Sequence, residues 1–347
     1  MSYVLNDKIK NLKPYQTDSD DYDIRLDANE SFINIPENIL DNISEEILKL
    51  DFNRYPDPTA AKCCRLFAEF HGIDDKLVMA GNGSDELIMI IITAFLSKND
   101  KILFLSPDFS MYSFYAYLAE NECITLGKNE KLNIDVDEII DKVRKENISA
   151  VIFSNPCNPT GQGVCKEDVI KLIESTNALI ILDEAYMDFW DQSLIREADN
   201  FDNLIILRTC SKAFAMASIR LGFAVANENI AIALRASKSP YNVNSVTQAI
   251  GSTVLKHKGY LKESIKEIIK SREFLYKNLK KLENDNFKVF GSKTNFILVK
   301  LQKTDYVYNE LKKASILVRN LGDFLRITAG NEKENQILIE TLKKILK

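Results

Sequence analysis

A lysine that follows a predicted strand is the first candidate for chemistry in this chain. Lys212 lies between small residues after the apolar run 204–208, and Arg220 comes eight residues later. A lysine amine can attack a carbonyl carbon and form a covalent bond with it. Taken alone, a Ser-Lys pair usually belongs to an ordinary loop, so the interpretation of Lys212 depends on the residues that the fold brings beside it.

Other polar side chains also follow predicted strands. Asp183 closes one short apolar run and Tyr186 comes three residues later, whereas Asn158 lies in an Asn-Pro-Thr-Gly sequence after another run. In open α/β sheets, functional groups collect beyond the carboxyl ends of the strands. We therefore expect Asp183, Asn158 and Lys212 to lie near one edge of a sheet.

Together these groups match the requirements of a pyridoxal phosphate site. Lys212 supplies the amine that binds the cofactor's aldehyde. Asp183 would keep the ring nitrogen protonated, because a nearby opposite charge raises the pKa of that nitrogen. Asn158 and Tyr186 can donate to the ring oxygen. Phe109 is a candidate to cover one face of the ring, although the same residue could simply pack in the core.

The cofactor's phosphate would need positive charge and backbone donors. Arg220 is the predicted cation, since a guanidinium pairs well with phosphate. A glycine-rich turn at residues 81–86 opens an apolar helix, and the free amides of a helix N-terminus can bind an anion. The predicted phosphate cradle consists of Arg220, Thr209, Ser211 and the amides of Ser84 and Asp85.

Composition excludes several other classes of protein. The chain has 347 residues, of which 46% are hydrophobic, and 45 Lys plus Arg against 50 Asp plus Glu give a net charge of −5. Acidity without basic blocks argues against a nucleic-acid or membrane partner. With two histidines and no Cys-x-x-Cys pair we expect no metal site. Six cysteines, the adjacent Cys63 and Cys64 among them, indicate reduced thiols in a cytoplasmic protein.

The elements that must position these groups alternate along the chain. Short apolar runs predict strands that are buried on both faces of a largely parallel sheet covered by helices. These runs are residues 101–105, 150–154, 179–182, 204–208 and 222–226. The apolar run 87–96 predicts a buried helix, because it is too short to span a membrane.

The pattern changes after about residue 240. From Leu261 to Leu282, apolar residues recur at helical spacing and predict one long amphipathic helix. Two strand candidates, residues 296–299 and 324–328, and a C-terminal helix follow. We predict a second, smaller α+β unit, with the long helix linking it to the first.

The order of these motifs resembles that of the fold-type I pyridoxal-phosphate-dependent aminotransferases. The resemblance is carried by Asn-Pro-Thr-Gly at 158–161, Asp-Glu-Ala-Tyr at 183–186, and Ser-Lys at 211–212 with arginine at 220. Among these enzymes the chain is most similar to the histidinol-phosphate aminotransferase family, through residues 14–16, 26–30, 54–58, 81–86, 211–214 and 325–328.

The resemblance implies an α/β fold of type I in three parts. An N-terminal arm, residues 1–30, would join the small domain. A large cofactor-binding domain with a mostly parallel sheet would span residues 31–255. A smaller α+β domain, residues 256–347, would begin with the long linking helix.

The resemblance also implies an activity and its partners. The cofactor would be pyridoxal 5'-phosphate, and amino transfer would link histidinol phosphate or imidazole-acetol phosphate with glutamate or 2-oxoglutarate, in histidine biosynthesis. The enzyme would be a homodimer with active sites at the subunit interface, and Tyr55 would reach the neighbouring subunit's cofactor phosphate. Arg326 would bind the substrate's carboxylate or phosphate, assisted by Tyr15 and Arg319. Asn29 would line the substrate pocket or cap a turn.

Within this assignment, Lys212, Asp183 and Tyr186 form the predicted catalytic set. Lys212 would also carry the substrate's α-proton, which requires that a dry pocket and nearby cations lower its pKa.

Two other activities remain open, and the sequence argues against a third class of protein. A decarboxylase of threonine phosphate would use the same Lys212, Asp183 and Arg220. An aromatic or broad-range aminotransferase would prefer free phenylalanine or tyrosine. A regulator that senses the cofactor would need a DNA-binding module, for which the stretch before Asn29 is too short and too acidic.

The connection 320–325 is shorter than the corresponding segment of many family members, so the substrate pocket is the part of the site that the motifs specify least.

Overall fold

The computed structural model describes residues 3–14, 18 and 20–346, and its strands form two sheets. The strands are β1 (Ile24–Leu26), β2 (Val78–Gly81), β3 (Lys101–Ser106), β4 (Glu122–Gly127), β5 (Ala150–Ser154), β6 (Leu179–Asp183), β7 (Leu204–Thr209), β8 (Gly222–Val225), β9 (Phe287–Val289), β10 (Phe296–Leu301), β11 (Ile316–Asn320) and β12 (Phe324–Thr328).

Helices alternate with the strands along most of the chain. They are α1 (Glu37–Leu48), α2 (Ala61–His71), α3 (Ser84–Phe95), α4 (Met111–Leu118), α5 (Val136–Glu146), α6 (Lys166–Ser175), α7 (Glu228–Ser237), α8 (Ser245–Lys256), α9 (Lys258–Lys280), α10 (Thr304–Lys313) and α11 (Glu332–Ile345).

The larger sheet has seven strands in the order β2-β8-β7-β6-β5-β3-β4. Strands β3 to β7 pair in parallel, as the apolar runs predict, whereas β8 is antiparallel to both β2 and β7. The sheet is therefore largely parallel, as the sequence predicts, and β8 is the one antiparallel strand among the five predicted runs. A parallel return needs a long crossover, usually a helix. The segment 210–221 contains only a 3₁₀ turn, so β8 returns antiparallel.

Both faces of this sheet are covered. Along β7, Ile206 packs into the core on one face, and Ile205 and Leu207 pack into the core on the other face. This alternation arises because successive side chains of a strand point to opposite sides. Helix α3 lies on the second face, and its Leu87 and Ile88 are fully buried there, which confirms the buried helix expected from the run 87–96.

The smaller sheet has the order β1-β11-β12-β10-β9. Its first strand comes from the N-terminal region, since β1 pairs in parallel with β11. The long helix α9 contributes Leu261 and Ile268 to one core of the larger sheet, and Leu275 and Leu279 to the core of the smaller sheet. One helix thus joins the two sheets, as the periodicity of the sequence predicts; the proposed domain boundaries stay a prediction.

Candidate active site

The carboxyl ends of the parallel strands bring the predicted residues together. Asp183 is the last residue of β6 and lies opposite Ser154, the last residue of β5. Thr209 ends the neighbouring strand β7, and Lys212 follows it. Since adjacent parallel strands end at one edge, Asp183, Thr209 and Lys212 share that edge, as in other open α/β sheets.

Lys212 is partly buried, and its amine faces the N-terminal segment. Its Nζ donates to the main-chain oxygen of Ala28, 3.0 Å away. Burial lowers the pKa of Lys212 to about 8, and the positive charges of Arg326 and Arg220 act in the same direction. A substantial fraction of this amine is therefore neutral near pH 7.5, which both a nucleophile and a base require.

Asp183 is a buried carboxylate with two donors. The hydroxyl of Tyr112 donates to Oδ2 over 2.7 Å, and the amide of Ala185 donates to Oδ1 over 3.0 Å. Burial raises the pKa of Asp183 to about 7, and the two donors oppose that rise. A buried carboxylate of this kind is stabilised by a cation, and a protonated ring nitrogen is such a group.

Tyr112 is a site residue that reasoning from the sequence missed. It lies on α4, is fully buried, and contacts the ring of Phe109 edge-on at a centroid distance of 5.5 Å. The only signal for it is its spacing of three residues from Phe109, which is also common among core residues.

Tyr186 is buried and held by Asn29. The side-chain nitrogen of Asn29 donates to the Tyr186 hydroxyl oxygen over 2.8 Å. Burial raises the pKa of Tyr186 to about 12, so the phenol is protonated at neutral pH and can donate to a ring oxygen.

Asn29 itself has a left-handed backbone, with φ of 54°, and is 1% exposed. Its main-chain amide donates to the hydroxyl of Thr328 over 3.1 Å, and that hydroxyl donates to its side-chain oxygen over 3.2 Å. Asn295 donates to its main-chain oxygen over 3.0 Å. These bonds tie Asn29 to the smaller sheet and orient its amide toward Tyr186.

The predicted phosphate cradle lies at the N-terminus of α3. Arg220 contacts the Ser211 hydroxyl over 3.4 Å, and the Ser211 amide donates to the Thr209 hydroxyl over 3.2 Å. Arg220 also pairs with the carboxylate of Asp85 over 3.0 Å. The sequence predicts a role only for the main-chain amide of Asp85, so the ion pair of its side chain with Arg220 is a contact that was not predicted. It orients the guanidinium across the helix N-terminus, where an anion is favoured.

Two glycines allow this close arrangement. Gly83, the N-cap of α3, has φ of 83°, and a Cβ atom there would lie 2.9 Å from the guanidinium of Arg220. Gly222 begins β8, and a Cβ atom there would lie 2.6 Å from the main-chain nitrogen of Ser84. Glycine tolerates a positive φ and close backbone contact. The cradle therefore depends on the absence of side chains at both positions.

Arg326 connects the smaller sheet to the cofactor residues. Its guanidinium donates to Asn158 Oδ1 over 2.5 Å and to the main-chain oxygen of Asp27 over 2.6 Å. It also lies over the ring of Phe296, 5.4 Å from the centroid. Because the oxygen of the Asn158 amide accepts from Arg326, its nitrogen is the atom that can donate to a ring oxygen.

Arg319 lies directly opposite Arg326 on the neighbouring antiparallel strand. Opposed residues project to the same face of a sheet, and like charges in this position repel. A pair of adjacent arginines is therefore suited to bind an anion between them. Tyr15, predicted to assist these arginines, lies outside the described residues.

Tyr55 is far more exposed than the other predicted site residues in the described part of the chain. Its side chain is 81% exposed and stacks on Tyr241 with ring centroids 4.6 Å apart. The predicted role of Tyr55 in a neighbouring subunit requires this kind of exposure.

The groups present fit pyridoxal phosphate in number and in chemistry. Lys212 supplies an amine with a lowered pKa, and Asp183 supplies a buried carboxylate that a cation would stabilise. Arg220 and the amides at the N-terminus of α3 form an anion site. At the carboxyl edge of a mostly parallel sheet, these features define a fold-type I pyridoxal-phosphate-dependent transferase.

Comparisons with known proteins agree with this class and narrow it. Residues 22–342 match the family described as aminotransferase class I and II. The chain is 42% identical to a histidinol-phosphate aminotransferase of Clostridium novyi, over 96% of this chain and 95% of the relative. It is 37% identical to one of Pyrococcus furiosus, over 99% and 98%. The chain belongs to the class I and II aminotransferases, which use pyridoxal phosphate, and among them to the histidinol-phosphate aminotransferase family.

Solved structures show the same architecture. The histidinol-phosphate aminotransferase of Clostridium acetobutylicum, 29% identical, superposes with a TM-score of 0.84 over 93% of this chain and 99% of that one. A threonine-phosphate decarboxylase from Porphyromonas gingivalis, 21% identical, reaches 0.79 over 93% and 99%. Since both activities occur on this fold, the fold alone does not select between them.

Proposed function

We propose that this aminotransferase moves an amino group between histidinol phosphate, or imidazole-acetol phosphate, and glutamate or 2-oxoglutarate, as a step of histidine biosynthesis. The observation that carries the proposal is the pair of opposed arginines, Arg319 and Arg326, beside the cofactor residue Asn158. Such a pair can bind the phosphate of one substrate and a carboxylate of the other. Relatives about 40% identical over nearly the whole chain carry the corresponding name.

We assign the cofactor to the groups at the carboxyl edge of the larger sheet. Pyridoxal phosphate, when bound, supplies an aldehyde for the amino group and an electron-withdrawing ring. Lys212 would bind the aldehyde carbon, and Asp183 would hold a proton at the ring nitrogen. Asn158 and Tyr186 would donate to the ring oxygen, and Phe109 would cover a face of the ring. Arg220, Thr209, Ser211 and the amides of Ser84 and Asp85 would bind the cofactor's phosphate.

In this assignment Lys212 is also the group that moves the substrate's α-proton. Its pKa of about 8 leaves part of the amine neutral at physiological pH, because the site is desolvated and cationic. The cations that lower this pKa, Arg326 and Arg220, are the same groups that hold the anionic ends of substrate and cofactor.

We also propose that the enzyme is a homodimer in which Tyr55 binds the cofactor phosphate of the partner. Three large apolar or aromatic residues, Leu48, Phe52 and Tyr55, are each at least 74% exposed, and Tyr241 stacks on Tyr55. Exposed apolar groups of this size mark interaction surfaces.

Mixing two inactive variants tests the role of Tyr55. If Tyr55 acts across the interface, subunits carrying Tyr55→Ala and subunits carrying Lys212→Ala regain activity when they exchange. Each mixed dimer then contains one intact site. Mixtures that form mixed dimers and remain inactive would show that Tyr55 does not act in the partner's site.

A cytoplasmic location is part of the same proposal. All six cysteines are free, as expected for proteins of a reducing compartment. Within the described part of the chain, no helix combines the length and apolarity that crossing a membrane requires.

The substrate assignment is tested by a panel of amino donors. With 2-oxoglutarate as acceptor, we expect histidinol phosphate to give a much higher kcat/KM than free phenylalanine or tyrosine. Threonine phosphate is included, with carbon dioxide release as its readout. Preference for a free aromatic amino acid, or release of carbon dioxide without an oxo-acid acceptor, would replace the proposed substrate with one of the alternatives.

A further inference from the structure

A buried charged cluster lies behind the candidate cofactor site. The side chains of Lys128 and Asp108 are only 1% and 3% exposed, and Lys128 Nζ lies 3.4 Å from Asp108 Oδ2. The same amine donates to the main-chain oxygen of Pro107 over 2.6 Å and to the sulfur of Cys157 over 2.8 Å. Lys128 directly follows the edge strand β4, so the pair is formed by two loops at the carboxyl edge of the sheet.

Asp108 links two segments that are distant in sequence. Its Oδ1 accepts from the main-chain amide of Phe109 over 2.8 Å and also from the hydroxyl of Ser154. Its Oδ2 accepts from the main-chain amide of Ser154 over 3.3 Å. The carboxylate thus joins the loop after β3 to the end of β5.

Ser154 extends the linkage to Asn158. The hydroxyl oxygen of Ser154 accepts from the main-chain amide of Asn158 over 3.0 Å. One carboxylate is therefore bonded directly to the backbone of Phe109 and, through one hydroxyl, to the backbone of Asn158. These are the two residues assigned above to the face and to the oxygen of the cofactor ring.

Net stability does not account well for this cluster. Burying an ion pair removes both charges from water, and apolar replacement of such pairs is often neutral or stabilising. What the cluster does provide is fixed geometry, because both oxygens of the carboxylate accept from Ser154, and each has a second donor, Phe109 at Oδ1 and Lys128 at Oδ2. A displacement of about 1 Å in groups that position a reacting molecule can lower a rate substantially.

We propose that Asp108, held by Lys128 and acting through Ser154, is a positioning residue that sets the spacing between Phe109 and Asn158. This inference rests on the proposed roles of those two residues. It assigns a function to three residues, Lys128, Asp108 and Ser154, that do not themselves need to touch the cofactor.

The test uses Ser154→Ala in the cofactor-loaded enzyme, because this variant keeps the ion pair and removes the hydroxyl that connects Asp108 to the Asn158 amide. We expect kcat/KM to fall about threefold to tenfold, which corresponds to one hydrogen bond. The pH midpoint of the bound cofactor's colour change should rise, since the ring oxygen loses a well-placed donor and binds its proton more strongly. Ser154→Thr retains the hydroxyl and should restore both values.

Two comparisons separate positioning from general stability. Ser252→Ala removes another buried hydroxyl, which donates to Ala249 over 3.2 Å in α8, and should leave the midpoint unchanged. A double-mutant cycle combines Ser154→Ala with Asn158→Ala. Asn158→Ala by itself should shift the midpoint, and Ser154→Ala added to it should cause little further change. Asp108→Asn should produce the same rise as Ser154→Ala if it folds; the Ser154 variants decide the question if it does not.

The outcomes distinguish this inference from the proposed site. If Asn158→Ala moves the midpoint and Ser154→Ala does not, the positioning role is wrong and the cofactor site stands. If Asn158→Ala also leaves the midpoint unchanged, the role of Asn158 is wrong, and the positioning role that rests on it is overturned with it.

Discussion

The hydroxyl of Tyr112 gives the most direct control over the charge of Asp183. Tyr112→Phe removes a 2.7 Å bond to Asp183 Oδ2 and changes nothing else in the side chain's shape. A hydrogen bond to a charged group contributes roughly 1.5–3 kcal/mol. Because one pKa unit corresponds to about 1.4 kcal/mol, the loss should raise the pKa of Asp183 by roughly one to two units.

The direction of the change in activity follows from where the proton between Asp183 and the ring nitrogen resides. Burial already raises the pKa of Asp183 to about 7, and the Tyr112 bond opposes that rise. In the variant the carboxylate binds a proton more strongly, so it stabilises a proton on the cofactor's ring nitrogen less well. We expect the acidic limb of the kcat/KM profile to move upward by roughly one to two pH units, and activity at pH 7 to fall about tenfold or more.

The assay compares full pH profiles of the wild type, Tyr112→Phe and Tyr117→Phe. Tyr117 lies on the same helix, and its hydroxyl donates to the main-chain oxygen of Lys8 over 2.9 Å, not to Asp183. It therefore controls for loss of a tyrosine hydroxyl bond from α4. An unchanged acidic limb in Tyr112→Phe, with normal folding, would refute the assignment of Asp183 as the ionised partner of the ring.

Three further outcomes follow from the site. Lys212→Ala should abolish the absorbance of covalently bound cofactor, and a variant that retains this absorbance would remove Lys212 from its role. Arg326→Ala should lower kcat/KM by about tenfold or more in both half-reactions, because a charged hydrogen bond contributes roughly 1.5–3 kcal/mol; loss in only one half-reaction would contradict a shared anion site. Gly83→Ala should weaken cofactor affinity, measured by equilibrium dialysis, because the new Cβ would lie 2.9 Å from Arg220 and the backbone φ is 83°. Unchanged affinity would show that the α3 N-terminus does not form the cradle.

The central strands were predictable because they are buried on both faces. The runs that predict β3, β6 and β7 each stop one residue before the strand does, at Ser106, Asp183 and Thr209. In each case the apolar pattern ends before the backbone pairing does. The site residues lie at this transition, where side chains become polar and the strand still fixes their direction.

Three strands that were not predicted, β1, β4 and β9, lack this signal for different reasons. The edge strand β4 has mostly exposed or half-exposed side chains, so it has no continuous apolar run. Strands β1 and β9 have three residues each, too few to show a period. Their pairing is a property of the assembled sheet, as in the parallel pairing of β1 with β11 across nearly the whole length of the chain.

The same distinction applies within the active site. Lys212, Asp183 and Asn158 each belong to a short local motif, and the sheet brings their motifs together. The contacts that tune them are long-range: Tyr112 and Asp183 are 71 residues apart, and Asn29 and Thr328 are 299 apart. No local sequence pattern indicates that a given tyrosine will donate a hydrogen bond to a distant carboxylate. The sequence motifs therefore identify the groups that carry the chemistry, whereas their protonation and orientation depend on partners that only the folded chain selects.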